Sequence, residues 1–206
     1  MYRSRKSPVI FNFFSWYISY ILKKDFAAHS FNALSFADDE AVLLLANHFS
    51  WWDGFILFHL NQVAIKKQFH VLVNAEEYKK HWFLKYMGAF AAEHTGKDVI
   101  ETLVYAGKLL DDPQNLVLVF PQGKAYPGPV RSVTFEKGIM QLVNASRKKF
   151  QFIFSVTLAD HSMGRKPQMK TYLTKWDAEE YVSLQLLKSE YNKHYESAIR
   201  QQNKDV

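Results

Sequence analysis

The stretch LLLANHFSWWDGFIL, Leu43–Leu57, joins an apolar run typical of a buried strand to one typical of a helix. His48 follows the strand expected at 41–47, and Asp53 opens the helix after it. The same order of strand and helix recurs along the chain. Because repeated βα units place strands side by side under helices, we predict an α/β fold whose mixed, largely parallel sheet is covered by helices.

The expected elements fill most of the 206 residues, which suffice for one ordinary hydrophobic core. We predict strands at 31–36, 41–47, 69–74, 115–120, 150–158 and 168–175, and helices at 54–65, 75–87, 98–110, 138–149 and 177–202. An N-terminal helix within residues 1–24 precedes a single domain predicted at 25–206. Sites in such sheets form at the carboxyl ends of strands, so the segments after 41–47 and 115–120 are the first candidates.

The formal net charge of +6 favours an anionic partner such as a phospholipid surface or an acidic substrate. The basic residues are scattered and no RNA-binding or zinc motif accompanies them, so we do not expect nucleic acid as a partner. The absence of cysteine excludes disulfides, thiolate metal sites and cysteine nucleophiles. Four histidines recur at spacings of eleven but fall on different elements, so neither a metal site nor a cofactor is expected.

The N-terminal segment RSRKSPVIFNFFSWYISYILKK, residues 3–24, has basic flanks around an apolar stretch at 9–22. As a helix that stretch would be roughly 21 Å long, too short for about 30 Å of bilayer hydrocarbon. Asn12, Ser15 and Ser19 would form one narrow polar stripe beside a broad apolar face. We therefore expect an interfacial helix that gives peripheral, monotopic membrane association on the cytoplasmic face. Packing of that face on the protein's own core, or a signal peptide, are the alternatives.

The first motif is the pair His48 and Asp53. A turn of this length can return the carboxylate to the imidazole, fix its tautomer and stabilise the imidazolium that forms when it takes a proton. His48 is then a candidate general base. Alternatively, Asp53 is only a helix N-cap and His48 a loop histidine.

The second motif is the loop in LVLVFPQGKAYPGP, residues 116–129. A loop rich in glycine and proline at the carboxyl end of a strand can expose backbone amides, and Lys124 adds a positive charge. Such a loop suits an anion or a polar head group. A plain surface turn is the alternative, because glycine and proline punctuate loops in general.

Four blocks in this order resemble those of the glycerolipid acyltransferases of the lysophosphatidic acid acyltransferase (PlsC-like) family. NHFSWWD at 47–53 is similar to the first block, with its histidine, four intervening residues and aspartate. GAF at 88–90 is similar to the opening of the second block, FPQG at 120–123 to the third, and FEKG at 135–138 to the segment that follows it. The resemblance covers about residues 30 to 160.

The resemblance implies acyl transfer from an acyl-CoA or acyl carrier protein to a hydroxyl of a lipid-like acceptor at the membrane surface. His48 would be the general base and Asp53 its orienting partner, because a hydroxyl is a poor nucleophile until a base takes its proton. No covalent enzyme intermediate is implied. The residues expected to bind substrate are Asn47, Glu93, His94, Phe120, Pro121, Gln122, Gly123, Lys124 and Lys137.

Several positions depart from the family's pattern. In the second block, Glu93 and His94 stand where Asp-Arg is usual. In the third block, Gln122 replaces a glutamate, and Lys124-Ala125 stands where Thr-Arg is usual. In the fourth block, Ser155 replaces a proline. Bidentate arginine recognition of a phosphate is thus missing. We expect an acceptor other than lysophosphatidic acid, for example an amino-lipid, a glycolipid, a polyol or a pigment hydroxyl. The alternatives are 1-acylglycerol-3-phosphate O-acylation in phospholipid synthesis and a catalytically silent lipid-binding protein.

Overall fold

The computed structural model describes residues 1–93, 96–162, 164–178 and 181–204, which form seven strands and six α-helices. The strands are β1 (Ala28–Phe31), β2 (Ala41–Ala46), β3 (Gln68–Val73), β4 (Ala89–Ala91), β5 (Asn115–Val119), β6 (Phe150–Asp160) and β7 (Gln168–Trp176). The helices are α1 (Pro8–Asp25), α2 (Asp53–Leu60), α3 (Ala75–Lys80), α4 (Gly96–Leu109), α5 (Ile139–Val143) and α6 (Leu184–Lys204). A π-helical turn, Asn61–Ile65, prolongs α2, and a 3₁₀ turn, Leu84–Met87, precedes β4.

The strands form one sheet in the order β1-β7-β6-β2-β5-β3-β4. All neighbouring strands are parallel except β6 and β7, which are antiparallel. The prediction of a mixed, largely parallel sheet covered by helices is confirmed. Because β2 lies between β5 and β6, the carboxyl ends of β2 and β5 are adjacent at one edge of the sheet, where a site is expected.

The core has two layers, one on each face of the sheet, and β2 contributes to both. Val42 and Leu44 pack with α1 and α2, whereas Leu43 and Leu45 pack with α4, α5 and α6. This alternation follows from the strand's period of two residues. Every residue of β2 is buried, so an uninterrupted apolar run is what a central parallel strand requires.

Helix α1 packs on the domain through one face only. Ile18 and Leu22 are buried, and Phe14 stacks on Phe83 with ring centroids 4.4 Å apart. The opposite face exposes large side chains, namely Val9, Phe13, Trp16, Tyr17 and Tyr20. Within the described residues, no helix is both long and apolar enough to cross a membrane. The role of α1 at a membrane, and the division into residues 1–24 and 25–206, stay predictions.

The first strand lies at Ala28–Phe31, so its prediction at 31–36 is wrong. The side chain of Asn32 explains where the strand ends. Its amide donates to Leu173 O at 2.9 Å, and its carbonyl accepts from Leu173 N at 2.6 Å. A side chain thus takes the place of the main chain in the pairing with β7, and the backbone leaves the sheet.

The C-terminal helix begins at Leu184 rather than at Asp177. The Ser183 hydroxyl accepts a hydrogen bond from Leu186 N at 3.1 Å and caps the helix. The buried face of the helix consists of Leu187, Tyr191, Tyr195 and Ala198, as the sequence pattern predicts.

Two other predicted helices are shorter than expected. The helix at 75–87 divides into α3 and the 3₁₀ turn, with His81 between them in a non-helical conformation. The helix at 138–149 ends at Val143. Beyond it, the Asp111 carboxylate accepts hydrogen bonds from the N–H groups of Arg147 and Lys148 at 2.6 and 3.2 Å. These bonds stabilise a non-helical turn, so the helix does not continue.

Candidate active site

His48 and Asp53 are brought together at the carboxyl edge of the sheet. β2 ends at Ala46, and a tight turn leads to Asp53, the first residue of α2. His48 Nδ1 lies 3.1 Å from Asp53 Oδ2. The carboxylate is 3% exposed and the imidazole 23%. Since Nδ1 donates its hydrogen to the carboxylate, the other ring nitrogen, Nε2, is left as an acceptor.

The Asp53 carboxylate faces the turn that precedes it. Its Oδ2 accepts from Phe49 N at 2.7 Å and from Ser50 N at 2.8 Å, and its Oδ1 accepts from Ser50 Oγ at 3.2 Å. A helix N-cap would instead accept from amides two or three residues further along the helix. Trp52 occupies the N-cap position and makes no side-chain cap. The interpretation of Asp53 as a plain helix cap is therefore wrong, because its carboxylate orients His48 and the turn.

Gln122 holds the main chain of His48. Its Oε1 accepts from His48 N at 2.7 Å, and its Nε2 donates to His48 O at 3.4 Å. The side chain is almost completely buried, so it joins the loop after β5 to the turn after β2. A carboxamide can serve both groups, whereas a glutamate could only accept. Gln122 and its neighbour Pro121 do not line the cavity described below.

The remainder of the FPQG segment shapes the surface around the imidazole. Phe120 stacks on His48 with centroids 4.2 Å apart and an interplanar angle of 18°. Gly123 has φ = +70°, and a Cβ there would lie 2.9 Å from Glu136 Cγ. This left-handed turn lets Tyr126 N donate to His48 O at 3.0 Å. The loop is thus tied to the histidine rather than being a plain surface turn.

Asn47 is a positioning residue within the sheet. Its side chain donates to Thr157 O at 3.0 Å and accepts from Thr157 N at 2.8 Å, which extends the β2–β6 pairing by one step. Ser155 is fully buried, and its carbonyl accepts from the Tyr191 hydroxyl at 2.8 Å. Burial raises the pKa of Tyr191 well above its usual value, so the phenol stays a donor. Neither Asn47 nor Ser155 lines the cavity.

A cavity of about 750 Å³ opens beside His48. Much of its wall is apolar and includes Ile18, Phe55, Phe58, Val71, Leu84 and Met87. These side chains come from α1, α2, β3 and the 3₁₀ turn. Since Ile18 belongs to α1, the N-terminal helix forms part of the cavity wall. The imidazole therefore borders a largely apolar cavity.

Among the lysine, arginine, aspartate and glutamate residues of the described lining, three of four are acidic. Glu76, Glu77 and Glu93 contribute to it together with Lys124. Glu93 Oε1 also lies 3.2 Å from the Met1 amino nitrogen. Lys137 is exposed and does not line the cavity, so the prediction that it acts there has no geometric support. His94 lies outside the described residues.

Sequence analysis missed part of this lining. Glu76 and Glu77 follow β3 directly, and Trp51 lies within the first motif. The rule that sites form at strand ends could have indicated the two glutamates, since β3 ends at the same edge as β2. Trp51 is 42% exposed and lines the cavity. Within the described ranges, no three histidine, aspartate or glutamate side chains are close enough to hold a metal ion.

Comparison with known proteins agrees with this geometry. A search of curated proteins found no match. The model of a family described as Acyltransferase matches residues 28–163, which include the His48 turn, the FPQG loop and β6. This match spans more than half of the chain. The chain therefore belongs to the acyltransferase family, that of the PlsC-type lysophosphatidic acid acyltransferases, and is an O-acyltransferase.

Proposed function

We propose that the protein transfers an acyl chain from an acyl-CoA or acyl carrier protein to a hydroxyl of a lipid-like acceptor at a membrane surface. The observation that carries this proposal is the His48–Asp53 pair on the wall of a large apolar cavity. A purely lipid-binding protein has no need of a buried carboxylate aligned on an imidazole. The pair thus favours an enzyme over the silent alternative.

In the proposed reaction, His48 Nε2 takes the proton of the acceptor hydroxyl as its oxygen attacks the thioester carbonyl carbon. Asp53 stabilises the imidazolium that forms. The tetrahedral intermediate then collapses, the carbon–sulfur bond breaks, and the thiolate leaves with the proton returned by His48. The products are an ester and a free thiol, so no group stays on the enzyme.

The cavity supports a lipid substrate. Its apolar wall suits an acyl chain, because transferring each methylene from water to such a surface gains about 0.8 kcal/mol. Helix α1 contributes Ile18 to this wall and exposes aromatic side chains on its other side. An acyl chain that passes α1 on its way from the bilayer would move from the exposed aromatic face of this helix into the cavity.

The acidic lining bears on the acceptor. A phosphomonoester in the cavity would meet the carboxylates of Glu76, Glu77 and Glu93, whereas Lys124 is the one lysine or arginine of the described lining. The Met1 amino group lies 3.2 Å from Glu93 and His81 lies 3.3 Å from Glu77, so Glu76 is the carboxylate of the three with no ion pair in the described residues. Like charges in a partly enclosed site repel strongly. We therefore propose an acceptor whose polar part is neutral or cationic, such as an amino-lipid, glycolipid, polyol or pigment hydroxyl. Lys124 is the feature that supports lysophosphatidic acid as the second candidate.

The exposed face of α1 supports peripheral membrane association, which we place on the cytoplasmic side. Trp16 and Tyr20 are 63% and 51% exposed, and Lys23 and Lys24 complete the last turn. Aromatic side chains with flanking lysines favour the interface of an anionic bilayer. Replacing Trp16 and Tyr20 by serine should reduce cosedimentation with anionic vesicles. The matched control is Tyr181→Ser, which removes an aromatic that is 79% exposed elsewhere.

A substrate panel tests the reaction itself. The purified protein is incubated with labelled acyl-CoA or acyl carrier protein and with amino-lipid, glycolipid, polyol and lysophosphatidic acid acceptors, and products are identified by mass spectrometry. We expect ester formation with an acceptor lacking a phosphomonoester, and none with His48→Ala. Efficient turnover of lysophosphatidic acid would refute the proposed acceptor. Transfer unaffected by His48→Ala would refute the mechanism.

A further inference from the structure

A second cavity, of about 600 Å³, lies at the edge of the sheet opposite His48. We call it the basic groove and define it by Arg5, Lys6, Lys66, Lys67, Gln68 and Gln114 of its lining. Gln68 begins β3, and Gln114 directly precedes β5. Because β3 rises by about 3.3 Å per residue, its two ends are roughly 16 Å apart along the strand. The groove lies at the amino end of β3 and the cavity beside His48 at its carboxyl end, and Phe69 lines both.

The charge of the groove is unbalanced. In the part of the chain that the structure describes, its lining includes two lysines and an arginine that make no ion pair, namely Arg5, Lys6 and Lys66, and no aspartate or glutamate. Lys67 differs, because its Nζ donates to Pro113 O at 2.6 Å and is held by the fold. Three cations thus converge on a concave surface without protein partners. Such a surface attracts an anion.

The backbone at Lys66 is held in an unusual conformation. Lys66 is the only non-glycine residue with positive φ in the described ranges, at φ = 60° and ψ = 32°. It ends the π-helical turn by donating from its N–H to Asn61 O at 2.6 Å. The buried Asn61 side chain also bonds both main-chain groups of Lys67. Strained backbone and π-helical turns are concentrated at functional sites, and here they direct a lysine to the groove.

The groove adjoins the aromatic face of α1. Phe11 and Asn12, near the start of α1, line the groove, whereas Val9, Phe13 and Trp16 are exposed. Successive residues of an α-helix are rotated by about 100°, so Asn12 lies about 100° around α1 from its exposed neighbour Phe13. The groove therefore lies beside the exposed face of α1 that we propose contacts the membrane. With that face in the interfacial layer, the groove lies at the depth of lipid head groups.

We propose that the basic groove is a second ligand site, which binds the phosphate of an anionic membrane phospholipid and holds the N-terminal end of α1 against the bilayer. The inference rests on the proposed membrane contact of α1, but not on acyl transfer. The other source of the same phosphate chemistry is the acyl donor, because CoA also bears phosphates. The position of the groove beside the exposed aromatic face of α1 favours the membrane lipid.

The test compares a groove variant with a matched surface variant. The groove variant is Arg5→Gln/Lys6→Gln/Lys66→Asn, in which asparagine tolerates the left-handed backbone. The control is Arg147→Gln/Lys148→Gln/Lys149→Gln, which removes the same charge from exposed residues before β6. Calorimetry measures binding of monomeric dihexanoyl phosphatidylglycerol, dihexanoyl phosphatidylcholine, inorganic phosphate and CoA. Cosedimentation with vesicles of phosphatidylcholine, with and without phosphatidylglycerol, follows membrane binding.

We expect one phosphatidylglycerol molecule to bind per protein and the groove variant to lose about 100-fold in affinity, since each basic residue near an anionic surface contributes about fivefold. The control should bind as the wild type does. Equal binding by the groove variant, or displacement of phosphatidylglycerol by CoA or by inorganic phosphate, would overturn the proposal. His48→Ala should abolish transfer yet keep lipid binding, so failure of the groove and failure of the proposed function are distinguishable.

Discussion

The substitution Asp53→Asn separates the charge of the carboxylate from its shape. In the wild type, Oδ2 accepts from His48 Nδ1 at 3.1 Å and from the amides of Phe49 and Ser50, while Oδ1 accepts from Ser50 Oγ. An asparagine carbonyl in the place of Oδ2 can accept from the same three groups, and its NH₂ can donate to the serine hydroxyl. The turn should therefore survive, without the charge that stabilises a protonated imidazole.

The size of the effect follows from the distance. Coulomb's law at 3.1 Å, with an effective dielectric constant of about 20, gives about 5 kcal/mol between Asp53 and an imidazolium at His48. Partial exposure of the imidazole reduces this value. We therefore expect kcat to fall about 10²- to 10⁴-fold, the range that general-base catalysis supplies. The free energy of unfolding should fall by about 4 kcal/mol, because the four charge-assisted hydrogen bonds of the carboxylate become neutral ones, at about 1 kcal/mol each.

The assay follows release of the thiol from an acyl thioester with a thiol-reactive chromophore. The chain has no cysteine, so the protein itself gives no background. Asp39→Asn, an exposed change of the same kind in the loop before β2, is the control. Urea titration monitors folding. An Asp53→Asn protein that is folded and retains wild-type kcat would refute the assignment of Asp53 as the partner of the base.

Three further substitutions test the supports of the site and the core. Gln122→Ala removes the acceptor of His48 N, so we expect the free energy of unfolding, measured by urea titration, to fall by about 1–3 kcal/mol. Gln122→Glu keeps an acceptor for His48 N, so this variant should retain most of the wild-type free energy of unfolding. Gly123→Ala places a side chain at φ = +70° beside Glu136, which should cost about 1–2 kcal/mol in the same measurement and lower kcat; unchanged values would contradict the strained turn. Burial, with a smaller contribution from His59, lowers the pKa of His29 from 6.5 to about 4. As the pH falls, the His29 imidazole is protonated in the unfolded chain before it is protonated in the folded protein. The free energy of unfolding should therefore drop by about 2 kcal/mol between about pH 7 and pH 5. In His29→Gln, this pH dependence should be flatter.

The sheet could be predicted because its strands are governed by local pattern. β2, β5 and β6 are mostly apolar runs whose burial follows from a central position in a sheet with helices on both faces. The boundaries that failed depend on distant partners. β1 ends where Asn32 meets Leu173, and the turn after α5 is stabilised by Asp111. Contacts between residues more than thirty positions apart leave no periodic signal in the sequence.

The proposed catalytic pair, His48 and Asp53, shows the same limit at the scale of one side chain. From sequence, an aspartate at the start of a helix is equally consistent with a cap and with a partner for His48. The choice depends on whether the carboxylate points forward along the helix or back to the turn. The hydrogen bonds that the Asp53 carboxylate accepts from the amides of Phe49 and Ser50 show that it points back to the turn.

Gln122 shows why a departure from a family motif does not by itself indicate lost chemistry. The resemblance implied that this position binds substrate, and glutamine there departs from the family's usual glutamate. Its side chain instead bonds both main-chain groups of His48 and is excluded from the cavity. A neutral carboxamide supplies both the acceptor and the donor that this position needs. The proposed preference for a neutral or cationic acceptor therefore rests on the glutamates that line the cavity and not on the altered residue of the motif.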